Sequence, residues 1–195
     1  MRTLIGRSAA KPEIQSQAAL RSPFANLLPR GILLALGLLA LACGKPAPPQ
    51  LEETALGHWR AEILPAHRGK ILIVPVWASW CQTCPELFPS LDTLAFEYEA
   101  RGVVVEGLCL DDADDPSAVA EARALLSEQQ TSFHNYLLRA EISQALAQLD
   151  LAGLPSVLVY DAQGELRYRL EGDAYENRIE GGDIAGAIES LQLKQ

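Results

Sequence analysis

The feature that most constrains the fold is a pair of cysteines, Cys81 and Cys84, between an apolar run and a segment of helical periodicity. The run at residues 70–77 is rich in β-branched residues and has the length of a strand buried on both faces. Residues 81–100 carry apolar side chains at intervals of three and four, and Gly102 follows where a helix can end. We therefore predict a central strand at 70–77 and a helix of about four to five turns at 81–100, with both thiols at the N-terminus of that helix.

The segments after this helix repeat the alternation of strand and helix and then change to a hairpin. The further predicted elements are a strand at 103–110, a helix at 116–128, a short apolar segment at 132–138, a helix at 141–148, strands at 156–160 and 165–170, and a helix at 183–193. A short turn that ends in Gly164 separates the last two strands, which favours an antiparallel hairpin. Parallel strands followed by this hairpin, with helices on both faces, predict an α/β fold with a mixed central sheet.

The first 42 residues have a different character from the rest of the chain. They carry five basic residues and one acidic residue, and they end in the apolar run 31–42. Twelve residues rise only about 18 Å as a helix, which is too short for a hydrocarbon core of about 30 Å. A basic segment followed by a short apolar one predicts a signal peptide over 1–42 and a folded part outside the cytoplasm.

Cys43 lies directly after this leader and is a candidate for lipid modification. Ala40 and Ala42 precede it and Gly44 follows it, a pattern that resembles the lipobox of bacterial lipoproteins. We therefore predict that Cys43 is the acylated N-terminus and anchors the protein to a membrane. An ordinary cleaved signal peptide, or an uncleaved short anchor, is the alternative.

Residues 43–50 contain three prolines, which predicts an extended tether rather than packed structure. The tether leads into one folded domain, predicted over 51–195. From Cys43 onward the chain has 11 basic and 24 acidic residues, a net charge of −13. Because that charge repels phosphate backbones, we expect no nucleic-acid partner.

The position of the two cysteines predicts thiol chemistry. The unpaired N–H groups and the positive end of the dipole at a helix N-terminus stabilise an anion, so they lower the pKa of the Cys81 thiol. Cys84 lies one turn further along, where it is less exposed and close enough to attack a mixed disulfide on Cys81. We therefore predict that Cys81 attacks, that Cys84 resolves, and that Trp80 covers one side of the site.

Other sites built on the same cysteines fit the sequence less well. A structural disulfide is one alternative, and half of a zinc site is another. Zinc needs about four ligands, but Cys109 is the only other thiol after the tether and the histidines are scattered singly.

Copper carriage is disfavoured because the only methionine is Met1, in the leader. A peroxidase is disfavoured because both cysteines lie in one turn and Ala78, not threonine, precedes Cys81 by three residues. We expect no bound metal.

The segment after the second predicted strand contains two further features. Cys109 is expected to be a small buried apolar side chain. Four aspartates follow it and are expected to form a solvated start to the next helix: Asp111, Asp112, Asp114 and Asp115.

The sequence Trp-Ala-Ser-Trp-Cys-Gln-Thr-Cys at 77–84, with Arg-Gly-Lys at 68–70 and Pro89, resembles the thioredoxin superfamily. Within it, the segment resembles the TlpA/ResA-like thiol-disulfide oxidoreductases. A second landmark, Gly-Leu-Pro-Ser at 153–156, resembles the cis-proline loop of that family. The resemblance covers roughly residues 51–195 and implies a thioredoxin fold. It also implies that the Leu154–Pro155 bond is cis, lies beside Cys81 and lines a substrate groove with Trp80.

The resemblance further implies a role and partners. Relatives of this type act without a bound cofactor as reductants of protein disulfides, such as those of apocytochrome c, and receive electrons from a membrane thiol carrier. The same role is expected here. An oxidant, a copper carrier and a redox-sensing interaction module on the same fold are the alternatives.

Three positions differ from the family pattern. Pro75 stands where relatives often carry a buried Asp or Asn, and Leu87 stands where they often carry Glu. An acid occurs one position earlier, at Glu86, which is therefore the candidate for acid–base work, with a solvated charge on the helix face as the favoured alternative. Gln82 and Thr83 replace the more usual dipeptide that contains proline, and this dipeptide helps to set the redox potential.

Overall fold

The strand that precedes the cysteines lies at the centre of a six-stranded sheet. The computed structural model describes residues 51–173 and 177–193, so Cys43, the predicted signal peptide and the tether lie outside the described residues. The strands are β1 (Leu51–Thr54), β2 (Ile71–Trp77), β3 (Val103–Cys109), β4 (His134–Leu138), β5 (Ser156–Tyr160) and β6 (Leu166–Glu171). Their order in the sheet is β1-β4-β3-β2-β5-β6. The first four of these pair in parallel, and β5 pairs antiparallel with both β2 and β6.

Helices cover both faces of this sheet. They are α1 (residues 56–66, with a π-helical turn at Trp59–Ile63), α2 (Phe88–Tyr98), α3 (Pro116–Gln129), α4 (Ile142–Leu149) and α5 (Gly181–Gln192). One core layer lies between the sheet and α2, α3 and α5, and the other lies between the sheet and α1 and α4. The predicted α/β fold with a mixed sheet is confirmed.

All seven residues of β2 are buried, as the apolar run predicted. Successive side chains of a strand point to opposite faces, so Ile73 and Trp77 enter the first core layer while Leu72 and Val74 enter the second. The predicted hairpin is also confirmed, since β5 and β6 are antiparallel and Gly164 in their turn has a φ of 82°. That left-handed backbone conformation favours glycine.

Two elements near the start of the domain were not predicted. In β1 the exposed residues are the two central ones, so the strand lacks the alternation of buried and exposed side chains that marks a half-buried strand. In α1 a π-helical turn interrupts the helical periodicity, and Pro65 lies in its last part. No helix among residues 51–173 and 177–193 is long and apolar enough to cross a membrane.

The helix predicted from Cys81 begins later than expected. A 3-10 turn spans Cys84–Leu87, α2 begins at Phe88, and Gly102 ends the helical segment with a φ of 74°. Pro85 and Pro89 each lie in the first turn of their own helical segment, where a missing N–H breaks no bond. Pro89 therefore marks the change from 3-10 to α geometry.

The topology gathers four loops at one edge of the sheet. Parallel strands end at the same edge, so the loops after β2, β3 and β4 lie together there. Because β5 runs antiparallel to β2, its first residues lie at this edge too. Val76 pairs with Ser156, which brings the loop before β5 next to the turn that follows β2.

Candidate active site

The two predicted cysteines are joined in a disulfide at this edge. Their Cα atoms are 5.5 Å apart, and the pair packs at the end of the first core layer. Cys81 is 6% exposed and Cys84 is 1% exposed, so Cys84 is the less exposed of the two, as predicted. The order of exposure suits attack at Cys81 by an incoming sulfur, because access decides which sulfur of a disulfide reacts.

Two successive turns, not a regular helix, hold Cys81. Its N–H donates to the carbonyl of Ala78 at 3.1 Å, and the N–H of Cys84 donates to the carbonyl of Cys81 at 3.3 Å. The predicted helix start at Cys81 is therefore three residues too early, although the predicted position of the cysteine pair at the start of a helical segment is confirmed. Cys81 instead lies three residues before the 3-10 turn that begins at Cys84 and leads into α2.

Trp80 forms one wall of a groove beside the disulfide. Its side chain is 56% exposed, and it lines a cavity of about 760 Å³ with Leu110 from the loop after β3 and Ile142 from α4. Four charged side chains also line this cavity: Asp112, Asp114, Arg139 and Glu141. The groove therefore combines an apolar floor with a predominantly acidic rim.

A second groove is lined in part by Thr83, the residue before Cys84. The Leu154–Pro155 bond is cis, as the resemblance implied. Pro155 lines a cavity of about 470 Å³ together with Thr83 and Glu86. Leu154 is partly buried and packs against both core layers. Trp80 and Pro155 thus line two separate grooves, and their role in binding a substrate stays a prediction.

Glu86, the candidate acid–base residue, forms an ion pair. Its Oε2 lies 2.6 Å from Nη1 of Arg178, and both side chains are more than half exposed. Leu87, which stands at the position where relatives often carry a glutamate, is buried in the first core layer. A role of Glu86 in proton transfer stays a prediction. Arg178 was not among the predicted site residues, since it follows Glu86 by 92 positions in the chain.

Asp111 departs from its prediction. It is 1% exposed, whereas Asp112, Asp114 and Asp115 are exposed as expected. Its Oδ2 accepts a hydrogen bond from the N–H of Ser79 at 2.8 Å, and its Oδ1 accepts one from Ser79 Oγ at 2.8 Å. The prediction that the four aspartates are solvated is therefore wrong for Asp111. Because β2 and β3 are parallel neighbours, the residues that follow them, Ser79 and Asp111, meet at one edge of the sheet. The position of Asp111 directly after a predicted parallel strand was the sequence signal that could have indicated this contact.

Cys109 is a free thiol, and it is buried as predicted. It is not only a packing residue, because its Sγ donates to Asp111 Oδ2 at 3.1 Å. Burial raises the pKa of this thiol well above its usual value, and the nearby charge of Asp111 raises it further. The thiolate that a nucleophile needs is therefore disfavoured at Cys109.

Pro75 lies in the middle of β2, where it is buried and pairs with Val157 of β5. The ladder between β2 and β3 comprises Ile71–Ile73 and Val76–Trp77 and is interrupted at 74 and 75. The missing N–H of proline accounts for this gap. The position that carries a buried acid in relatives is thus apolar here.

His67 and His134 lie away from the disulfide edge, because His67 precedes β2 and His134 begins β4 at the opposite edge of the sheet. His67 Nε2 is 3.0 Å from Glu106 Oε2, and the ring of His134 packs against Tyr136 with 4.4 Å between centroids. Burial, followed by the charges of Glu106 and Glu52, raises the pKa of Tyr136 to about 12. Within the described part of the chain, no three His, Cys, Asp or Glu side chains are arranged to hold a metal ion.

Comparisons with known proteins agree with this geometry. The model of the AhpC/TSA family matches residues 44–169. The thiol:disulfide interchange protein DsbE of Pseudomonas aeruginosa is 31% identical over 136 residues, which cover 66% of this chain and 66% of that protein. The match thus spans slightly less than two thirds of that relative's length.

Two solved structures have a similar fold. The thioredoxin domain of a thiol-disulfide oxidoreductase from Bacteroides vulgatus aligns with a TM-score of 0.54 at 18% identity, over 65% of this chain and 82% of that one. A secreted disulfide oxidoreductase from Mycobacterium tuberculosis aligns with a TM-score of 0.52 at 20% identity, over 65% of this chain and 86% of that one. At these identities the likeness establishes the fold, which is that of thioredoxin.

Proposed function

The chain belongs to the AhpC/TSA family of thioredoxin-like proteins, and we propose on that basis that it exchanges disulfides with protein substrates through Cys81 and Cys84. The single observation that carries the proposal is the disulfide between these residues at the loop-bearing edge of the sheet, where Cys81 directly follows Trp80, which lines a groove. The relative from Pseudomonas aeruginosa, named as a thiol:disulfide interchange protein, supports the same activity.

The reaction follows from the two cysteines alone. In the reduced protein, the Cys81 thiolate attacks one sulfur of a client disulfide, forms a mixed disulfide and expels the other client sulfur as a thiolate. Cys84 then loses its proton and attacks Sγ of Cys81. The Cys81–Cys84 bond forms, the second client thiolate leaves, and two electrons have passed from the protein to the client. A dithiol donor must return those two electrons before the next cycle.

Trp80, Leu154 and Pro155 form the proposed substrate groove. The carbonyl of Gly153 already accepts a hydrogen bond from Ser156 Oγ at 2.7 Å, and the carbonyl of Pro155 accepts one from the N–H of Gly172 at 3.0 Å. We therefore assign to the backbone of Leu154 the pairing with an extended client segment, in the manner of an added strand. The exposed indole of Trp80 then covers the client on the other side of Cys81.

We further propose that the protein acts as a reductant outside the cytoplasm. The basic and apolar leader before Cys43 supports export and a lipid anchor at that residue, with residues 43–50 as the tether. On this proposal the clients are protein disulfides such as those of apocytochrome c, and the electron donor is a membrane thiol carrier. Labelling with a lipid precursor tests the anchor, and Cys43→Ala should abolish the label.

Trapping a mixed disulfide tests the exchange reaction. Reduced Cys84→Ser protein, mixed with a disulfide-bearing protein such as insulin, should form an adduct on Cys81 that excess dithiol cleaves. Cys109→Ser is the matched control for a thiol outside the pair and should still reduce insulin when it carries both active cysteines. The proposal fails if Cys84→Ser forms no adduct, or if the adduct lies on Cys109.

A further inference from the structure

A buried carboxylate lies behind the turn that carries Cys81. Asp111 receives three hydrogen bonds, from the N–H of Ser79, from Ser79 Oγ and from the Cys109 thiol. All three donors are neutral. Among the residues that the structure describes, no lysine, arginine or histidine forms an ion pair with Asp111. The negative charge of Asp111 is therefore hydrogen-bonded but is not balanced by a cation.

These bonds act directly on the turn before the nucleophile. Ser79 is an inner residue of the turn that the Cys81 N–H closes onto the Ala78 carbonyl at 3.1 Å. Asp111 holds Ser79 through its backbone and its side chain at once, both at 2.8 Å. Because both its N–H and its hydroxyl group are hydrogen-bonded, Ser79 has little conformational freedom. Asp111 thus fixes the path of the chain two residues before Cys81.

The other charged groups around the turn are solvated. The exposed charged side chains that line the two grooves are Asp112, Asp114, Arg139 and Glu141 beside Trp80, and Glu86, Asp173, Arg178 and Glu180 beside Pro155. Water and salt screen charges of this kind. A charge that is 1% exposed is screened much less, so the charge of Asp111 can act on the turn that it holds.

We propose that Asp111 is a positioning residue that holds the turn before Cys81 and keeps the Cys81–Cys84 couple reducing, an inference that rests on the proposed function. Reduction of the disulfide takes up two electrons and one proton when Cys81 remains a thiolate and Cys84 becomes a thiol. That step places a second negative charge near Asp111. A neighbouring like charge disfavours the thiolate. The dithiol form is thereby made less favourable, and the protein gives its electrons to a client more readily.

Asp111→Asn is the test because it removes the charge and keeps the contacts. The amide oxygen still accepts from the Ser79 N–H, and the amide nitrogen can donate to Ser79 Oγ. Asp112→Asn is the matched control, since it makes the same change at the exposed neighbour. Ser79→Ala is the complementary variant, because it keeps the charge and removes one of the bonds. Two quantities are measured: the equilibrium constant for disulfide formation against glutathione, and the rate of Cys81 alkylation as a function of pH.

The charge predicts a specific pattern across these variants. In Asp111→Asn the Cys81 thiol should titrate about one pH unit lower, and the equilibrium constant for disulfide formation should fall, by up to about tenfold at pH values where Cys81 is ionised in both proteins. In Asp112→Asn both quantities should stay within about twofold of the wild type, because its charge is screened. Ser79→Ala should also keep the equilibrium constant within about twofold while it lowers thermal stability through the lost hydrogen bond.

The outcomes separate this inference from the proposed function. If the wild type equilibrates with glutathione and Asp111→Asn matches Asp112→Asn, the inference is overturned and the proposed function stands. If the wild type neither equilibrates with glutathione nor reduces insulin, the proposed function fails and the inference falls with it. Circular dichroism checks that Asp111→Asn folds. Should it not fold, the wild type alone decides: its Cys81 thiol should titrate at about pH 7 or above, and a value near 3.5 overturns the inference.

Discussion

Gly107→Ala perturbs a close contact beneath the active-site edge. Gly107 of β3 is the register partner of Asn135 in β4, and a Cβ added to it would lie 2.0 Å from Asn135 Oδ1 and 3.0 Å from Trp77 Nε1. The Asn135 side chain is fully buried. Its Oδ1 accepts from the Trp77 indole N–H at 2.9 Å and its Nδ2 donates to the Phe133 carbonyl at 2.9 Å. The methyl group therefore has to displace this amide.

The expected decrease in the free energy of unfolding of Gly107→Ala has two contributions. Overpacking of a filled core costs about 1–3 kcal/mol. Displacing the amide leaves buried polar groups of Asn135 and Trp77 without partners, which costs about 1–3 kcal/mol more. We expect Gly107→Ala to lower the free energy of unfolding by about 3–5 kcal/mol and the Tm by roughly 10 °C. Asn135→Ala alone should cost about 2–3 kcal/mol through the orphaned Trp77 N–H and the space it leaves.

Urea unfolding of both single variants and of the double variant measures the contact. Because Asn135→Ala vacates the space that the new methyl group needs, the two costs should not add, and the coupling should be at least about 1 kcal/mol. Gly186→Ala, in α5 with nothing within 4 Å of the added Cβ, is the matched control and should be neutral or stabilise by up to about 1 kcal/mol. Additive costs, or a Gly107→Ala cost below about 1 kcal/mol, refute the reasoning.

Three further predictions concern titratable side chains. Because burial raises the pKa of Cys109, it should resist iodoacetamide in the reduced native protein at about pH 8 while Cys81 reacts, and both should react in urea; mass spectrometry identifies the sites. With its pKa raised to about 12, Tyr136 favours the folded state fully below its ordinary value of about 10, and this contribution should be lost as pH rises through 12. Phenolate absorption follows the titration, and Tyr136→Phe should remove this part of the pH dependence of stability. Glu86→Gln breaks an exposed ion pair and should cost less than about 1 kcal/mol of stability. An insulin reduction rate that drops more than about tenfold in Glu86→Gln would instead assign it a proton-transfer role.

Local patterns were sufficient to predict the elements whose side chains are buried on both faces. The continuous apolar run at 70–77 predicted the buried strand β2, and the glycine turn before β6 predicted an antiparallel hairpin. Both predictions are confirmed. The start of α2 was harder to predict. Periodicity continues through Cys84–Leu87 whether the backbone is 3-10 or α, so the pattern does not distinguish the two.

The role of Asp111 could not be read from its neighbours in the chain. Four aspartates within five residues favour a solvated loop, and three of them are solvated. What distinguishes Asp111 is its contact with Ser79, 32 positions earlier, which exists only because β2 and β3 lie side by side. Pairing across a sheet creates such contacts, and the sequence indicates them only through the shared edge at which parallel strands end. The cis-proline loop was predictable because a family motif marks it.

The reduction potential of the Cys81–Cys84 couple tests the central claim most directly. The wild-type domain, equilibrated in buffers of defined glutathione ratio and quenched with acid, gives the fraction of disulfide by mass spectrometry. Cys81→Ser is the control that cannot form the bond. A potential near the reducing end of the thioredoxin range, about −270 mV, is the result expected of a reductant that acts on protein disulfides. A potential near −120 mV, typical of a strong oxidant, or no exchange at all, would contradict it.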